Sequence, residues 1–318
     1  MNRGFFKKWP IRIAFAVFAL IFLLMAVFFC RKPVIVVSDR AFNELYGQGR
    51  GQCKRITLSF RLFRPIKMIN IAEGAGPDLA AQGAISLSRR PVAVFFPYRY
   101  KEAAVLYQNR RPGSQVVILA GRIPRETAGN GYEGGSGGQG NAEMPLWFNT
   151  DTAGDLYRAG AIAGTFARYQ KNSLWLNTGE IALVHDGLTS SEETAFVRGL
   201  EEQQWTDPPL FLSDLAEKPL SCAVLLKDFR FYGEESAGSL ILFTWMDPVL
   251  APKKTLAIFD DSPWAQIMPV LENIQQGRHG GTVPSEIVFF RGDKIQKDVY
   301  NEINQIKILK KKAENADN

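Results

Sequence analysis

Histidine is almost missing from this chain of 318 residues; only His185 and His279 occur. That excludes a zinc or acid–base centre built on several imidazoles. Cysteine is as scarce. Cys30, Cys53 and Cys222 stand too far apart for a zinc pattern or a dense disulfide framework. Cys222 lies in an apolar run and reads as a core thiol. The motifs of common hydrolases and nucleotide enzymes are absent: no Gly-x-Ser-x-Gly elbow, no His-Glu-x-x-His, no Gly-Lys-Ser/Thr phosphate loop. Acidic residues are missing from positions 1–32, which hold Arg3, Lys7, Lys8, Arg12, Arg31 and Lys32. Removing those six from the 38 Lys and Arg leaves 32, equal to the 32 Asp and Glu. The remainder is therefore neutral, offers no net field to a phosphate backbone, and predicts no nucleic-acid partner.

What the chain does have, early on, is an uncharged apolar run from Ile13 to Cys30, at the lower length limit for crossing a bilayer. Basic residues precede it, as in a signal sequence or signal anchor. No clean small-residue cleavage site follows. Phe28 and Phe29 stand where lipidation of Cys30 would need small residues, so the reading favours an uncleaved anchor over a lipoprotein. Either way residues 33–318 are expected outside the cytoplasm, at the cell membrane.

Beyond residue 33 strand-like and helical runs alternate, the pattern of a doubly wound parallel sheet. Strands are predicted at Val34–Val37, Ile56–Phe60, Val92–Phe96, Val116–Leu119, Pro145–Phe148, Glu180–Val184, Leu210–Leu212, Cys222–Leu226, Leu240–Phe243, Val249–Leu256 and Glu286–Phe290. Helices are predicted at Asp78–Ser86, Arg99–Asn109, Asp151–Tyr169, Ser190–Glu202 and Ser262–Gln276. Gly47, Gly49 and Gly51 read as a loosened helix end. The expected organisation is an anchor at 1–32, an N-terminal lobe at 33–125, a flexible glycine-rich loop at 126–142, a mainly C-terminal lobe at 143–292 and a C-terminal helix or tail at 293–318. Part of 245–283 is expected to return to the first lobe. Crossings between lobes are expected near 121–150, 245–256 and 278–284.

The most specific stretch follows the first strand. Asp39-Arg40-Ala41-Phe42-Asn43-Glu44, with Gly47 beyond, resembles the first-loop signature of the basic-membrane-protein family of substrate-binding proteins. Three further places are similar to that family: the small-residue run Tyr157–Gly164, the pair Phe196 and Gly199, and Val249-Leu250-Ala251-Pro252 as a hinge strand. The small residues at i and i+4 in Tyr157–Gly164 also let another element approach closely. The resemblance implies a type I periplasmic-binding fold, with two α/β lobes closing over a small, nucleoside-like ligand. It implies an ABC permease or sensor as partner.

In that fold the loops after the strands face the cleft. The candidate ligand-binding residues are Asp39, Phe42 and Asn43 from the first loop, with Tyr98, Arg122, Asp186, Asp228, Trp245 and Asp247 from later ones. Phe42 can stack on a planar ring; Asp39 and Asn43 can hydrogen-bond a base or sugar. The bland alternative makes Phe42 core and Asp39 a helix cap. His185-Asp186 reads as a ligand-orienting pair or as a cap for the next helix, and Asp260-Asp261 as a cap for the helix at Ser262. No catalytic set, metal site or cofactor is expected. The chain departs from the family where its fourth strand ends Leu119-Ala120-Gly121, a place where relatives carry an Asp, and near Ser262, where they carry a Lys. These departures weaken the nucleoside expectation more than the fold. The alternative is a degenerate binding-protein fold serving as a structural or interaction component of the envelope.

Overall fold

The computed structural model describes residues 9–72, 74–122, 144–172, 180–214, 220–226, 237–290 and 301. The glycine-rich stretch, most of the tail and Asp228 lie outside them. The apolar run forms a single helix, α1 (Trp9–Cys30). At ~1.5 Å per residue its 22 residues reach about 33 Å, enough for a bilayer core of roughly 30 Å.

The first sheet starts with β1 (Val34–Asp39), buried along its whole length. α2 (Arg40–Tyr46) follows without a linker. Gly47, at φ 84°, breaks the helix, and α3 (Gln48–Leu62) starts at once. Gly49 and Gly51 thus lie inside the new helix rather than at a loosened end. The expected strand Ile56–Phe60 is part of α3, where only Leu58 is buried. Its apparent two-residue alternation has no sheet to serve. The strand paired with β1 is instead β2 (Ile66–Ile71), in parallel register from Val34 against Ile66. Pro65 explains the shift, because a helix cannot continue through it. Next come α4 (Pro77–Leu87), β3 (Ala93–Pro97), a 3-10 turn (Tyr98–Tyr100), α5 (Lys101–Arg110), β4 (Gln115–Gly121) and β5 (Leu146–Thr150).

The second half runs α6 (Thr152–Asn172), β6 (Glu180–Val184), α7 (Ser190–Glu201), β7 (Leu210–Leu212), β8 (Leu220–Leu225) and β9 (Leu240–Phe243). The expected hinge strand at Val249–Leu256 is displaced. Residues Pro248–Leu250 form a 3-10 turn with Val249 87% exposed, and the strand is β10 (Thr255–Asp260), buried throughout. Pro248 and Pro252 interrupt the earlier segment, while Thr255-Leu256-Ala257-Ile258-Phe259 fits a buried strand. α8 (Pro263–Gln275), β11 (Gly280–Val283) and β12 (Glu286–Phe289) complete the order. β11 gave no strand signal because it opens on two glycines.

Two six-stranded sheets result, in the orders β11-β5-β4-β3-β1-β2 and β12-β10-β9-β8-β6-β7. Within each, the first five strands of that sheet to occur along the chain follow the order 2-1-3-4-5, the flavodoxin-like doubly wound arrangement. β12 alone runs antiparallel to its neighbour among the pairings resolved strand by strand. The chain changes sheets three times: after β5, after β10, and between β11 and β12. The first follows directly on the expected 121–150 and the last adjoins the expected 278–284, whereas the second, after Asp260, lies beyond the expected 245–256. β4 and β5 are neighbours in one sheet, and 245–256 leads into β10 beside β9.

The described residues divide into two compact units, one of 9–44, 48–118 and 144–146, the other of 45–47, 119–122 and the residues from 147 on. In the second unit, α6 and α7 cross backbone to backbone. Gly160 lies against the carbonyl of Phe196 and Gly199 against that of Tyr157. One face of the sheet packs Leu156, Ile162, Phe166, Phe196, Val224 and Phe259 into a core.

Candidate ligand-binding site

In a doubly wound sheet, ligands bind outside the carboxyl ends of the strands, where the order reverses. In the first sheet that point lies between β1 and β3. β1 ends at Asp39, which is 4% exposed and starts α2 as its cap: Phe42 N–H donates to Asp39 Oδ1 at 2.8 Å. The other carboxylate oxygen pairs with Arg99 Nη1 at 3.0 Å, from the turn after β3. Arg99 is 48% exposed along its side chain, sits over the Tyr100 ring at 4.8 Å, and donates to its hydroxyl at 2.8 Å. Asn43, one turn into α2, donates to the Asp39 carbonyl at 2.7 Å and to Asn70 Oδ1, near the end of β2, at 2.9 Å. The ends of three adjacent strands thus carry one polar set.

Beside it is a hollow of ≈ 170 Å³ lined by Asn43, Gln48, Gln52, Arg55, Met68 and Asn70. That is below the ~300–1,000 Å³ of a complete small-molecule pocket. It has room for one end of a ligand, bordered by amides that both donate and accept.

Phe42, expected as an open stacking face, is buried at 6% exposure. Tyr98 is half-buried, its ring beneath Lys101 Nζ at 4.9 Å. Asp186 and Trp245 are exposed at the ends of β6 and β9. Asp247 caps its own 3-10 turn, accepting from Val249 N–H at 3.0 Å, and its side chain rests against Gly47. Asp228 lies outside the described residues.

Arg122 belongs to a separate network in the second unit. It pairs with the fully buried Asp155 at 3.4 Å and with Asp261 at 3.5 Å, and donates to Ser285 Oγ at 2.9 Å. Its guanidinium lies 4.5 Å from the centre of the Phe243 ring, which stacks on Phe259 at 4.6 Å. Asp155 also binds Arg158 and the Ser285 hydroxyl. The network therefore joins the residues bordering all three changes of sheet: Asp155 after β5, Asp261 after β10, and Ser285 between β11 and β12.

His185 follows β6; its Nδ1 is buried without a hydrogen-bond partner among the described residues, and its ring meets Phe211 edge-on at 6.2 Å. It does not cap the next helix. Thr189 does, in a reciprocal box with Glu192: Glu192 N–H donates to Thr189 Oγ1 at 3.0 Å, and Thr189 N–H donates to Glu192 Oε2 at 2.7 Å. Asp260 accepts from Ser262 N–H at 2.9 Å and from the Tyr46 hydroxyl at 3.2 Å, while Ser262 caps α8. Among the described residues no group of three His, Cys, Asp or Glu could hold a metal ion.

Arg99, Asn70, Asp155 and Ser285 escaped the sequence reading. Arg99 adjoins Tyr98 at a strand end, a position that should have flagged it. Asn70 was hidden because β2 was placed too early.

No family model and no curated protein matches the chain. Solved structures do. It is similar to a transcriptional activator of the comK gene from Bacillus halodurans, at 11% identity over 86% of this chain and 95% of that one, with a TM-score of 0.51. It is similar also to an ABC-transporter solute-binding protein from Conexibacter woesei, at 12% identity over 89% and 97%, with a TM-score of 0.50. The chain has a type I periplasmic-binding-protein fold. At such identities the likeness establishes the fold alone.

Proposed function

We propose that this chain is a membrane-anchored, extracytoplasmic solute-binding protein that takes a small ligand at the strand ends and serves an ABC-type importer or a sensor. The observation that carries the reading is the polar set Asp39–Arg99 and Asn43–Asn70 at the switch point of the first sheet. Asp186, at the end of β6, holds the corresponding switch point of the second sheet. The solute-binding protein of the same fold supports the class. α1 supports the anchor: Ile13–Cys30 is long and apolar enough to span a membrane, and its side chains lie outside any core. The basic residues before it favour a cytoplasmic N-terminus. The amides around the hollow suit a nucleoside base or sugar, as membership of the basic-membrane-protein family would imply.

The test is a thermal-shift screen of the full chain against nucleosides and sugars. A ligand at 100 times its Kd adds about 2.7 kcal/mol of apparent stability. The expected result is a shift with a nucleoside that Asn43→Ala or Arg99→Ala abolishes. Absence of any shift would favour a second reading, an interaction component that keeps the fold without a ligand. Two observations favour that rival: Phe42 is buried, and Arg122 is engaged by its own unit.

A further inference from the structure

α3 turns an apolar stripe outwards. Cys53, Ile56 and Phe60, spaced three and four residues apart, lie on one face of the helix, and all three are exposed, Ile56 at 52% and Phe60 at 66%. Single exposed apolar residues need no explanation, but a stripe along a helix does. Its location supplies one. Phe28, in the last turn of α1, has its ring 6.2 Å from Phe60 and 5.8 Å from Phe63. Within 13–30 it is the one residue that is not exposed. Arg31 sits over the Phe63 ring at 4.8 Å, and Arg64 donates to the Lys32 carbonyl at 3.4 Å. The end of α3 is therefore level with the last turn of the apolar run.

The charge around the stripe has one sign. Between Glu44 and Glu73 there is no acidic residue, while Arg50, Lys54 and Arg61 flank the stripe along α3 and Arg64 follows it. Arg31 and Lys32 adjoin them. A helix with aromatic and aliphatic residues on one face and basic residues around them suits the boundary between acyl chains and anionic headgroups.

We propose that the exposed face of α3 docks on the anionic lipid surface of the same bilayer that α1 spans, so that the first unit is held against the membrane rather than swinging free on a tether. This rests on reading α1 as a membrane anchor. Ile56 and Phe60 enter the headgroup boundary, and the basic residues meet lipid phosphates.

Cys53 provides the probe. The full chain carrying Cys30→Ser is reconstituted in nanodiscs of phosphatidylglycerol or of phosphatidylcholine, and Cys53 is labelled with an environment-sensitive dye; Cys222 is buried and stays unlabelled. The expected result in phosphatidylglycerol is a blue-shifted emission quenched by headgroup nitroxide lipids, weaker in phosphatidylcholine. Quenching should be lost in the Ile56→Ser, Phe60→Ser double variant, which still co-elutes with the discs. A chain that co-elutes but shows no quenching in phosphatidylglycerol overturns the docking and leaves the anchor standing. Equal quenching in both lipids, unaffected by the double variant, also overturns it, as would shielding of Cys53 from aqueous maleimide without nitroxide quenching, the mark of a protein cover. Failure to co-elute overturns the anchor and the docking together.

Discussion

Gly199 on α7 lies directly against the backbone carbonyl of Tyr157 on α6, and a Cβ there would also stand 3.0 Å from Ala161 N. Gly→Ala normally favours a helix by ~1 kcal/mol. Here the obstructing atoms are backbone and cannot rotate away, so overpacking of about 1–3 kcal/mol or more should win. Gly199→Ala is expected to lower the urea midpoint of the second unit. Gly49→Ala, where a Cβ meets nothing within 4 Å in α3, should leave the urea midpoint of the first unit unchanged or raise it.

Asp155 should be the most sensitive charge among the ion pairs described. It is fully buried and answers both Arg122 and Arg158. Removing it takes the carboxylate from Arg158 and leaves Arg122 with Asp261, and Asp155→Ala is expected to cost about 3–5 kcal/mol in chemical denaturation. Glu44→Ala breaks the Arg40 pair, whose side chains are 82% and 56% exposed, and should change stability by at most ~0.5 kcal/mol.

The switch-point residues separate structure from binding. Asp39→Ala removes the α2 cap and the partner of Arg99, and should cost roughly 1–2 kcal/mol of stability. Arg99→Ala should leave the unfolding midpoint nearly unchanged yet weaken ligand binding. A loss of stability in Arg99→Ala equal to that in Asp39→Ala would assign the pair to packing.

Thiol chemistry should report folding. Cys30 and Cys53 are exposed and should label quickly, whereas Cys222 should label only on unfolding. Burial pushes the Cys222 thiol up to about 12 from 9.0. The native state therefore holds this proton longer than the unfolded chain does. The stability it contributes is complete below pH ~9 and is lost as pH rises from there towards 12. Cys222→Ala should flatten that alkaline decline in a pH series of denaturation midpoints.

The alternation of strand and helix was legible because each buried parallel strand is a short apolar run closed by a polar turn, as at Glu180–Val184 and Leu240–Phe243. The close helix crossing was legible from the small residues of Tyr157–Gly164. Half-exposed β2 was not, because its sides alternate too weakly to outcompete Ile56–Phe60 in the neighbouring helix. The Asp155 network was illegible for another reason. Arg122 and Ser285 are separated by 163 positions, and nothing local in either segment signals the other.

The first sheet receives its sixth strand from β11, some 130 residues after β5 has been made. During synthesis the edge of β5 stays open until positions 280–283 emerge, an invitation to mispair with another chain. Maturation of the first sheet is thus tied to delivery of residues 280–283. Truncations that stop before residue 280 should accumulate as aggregates rather than as a free-standing half.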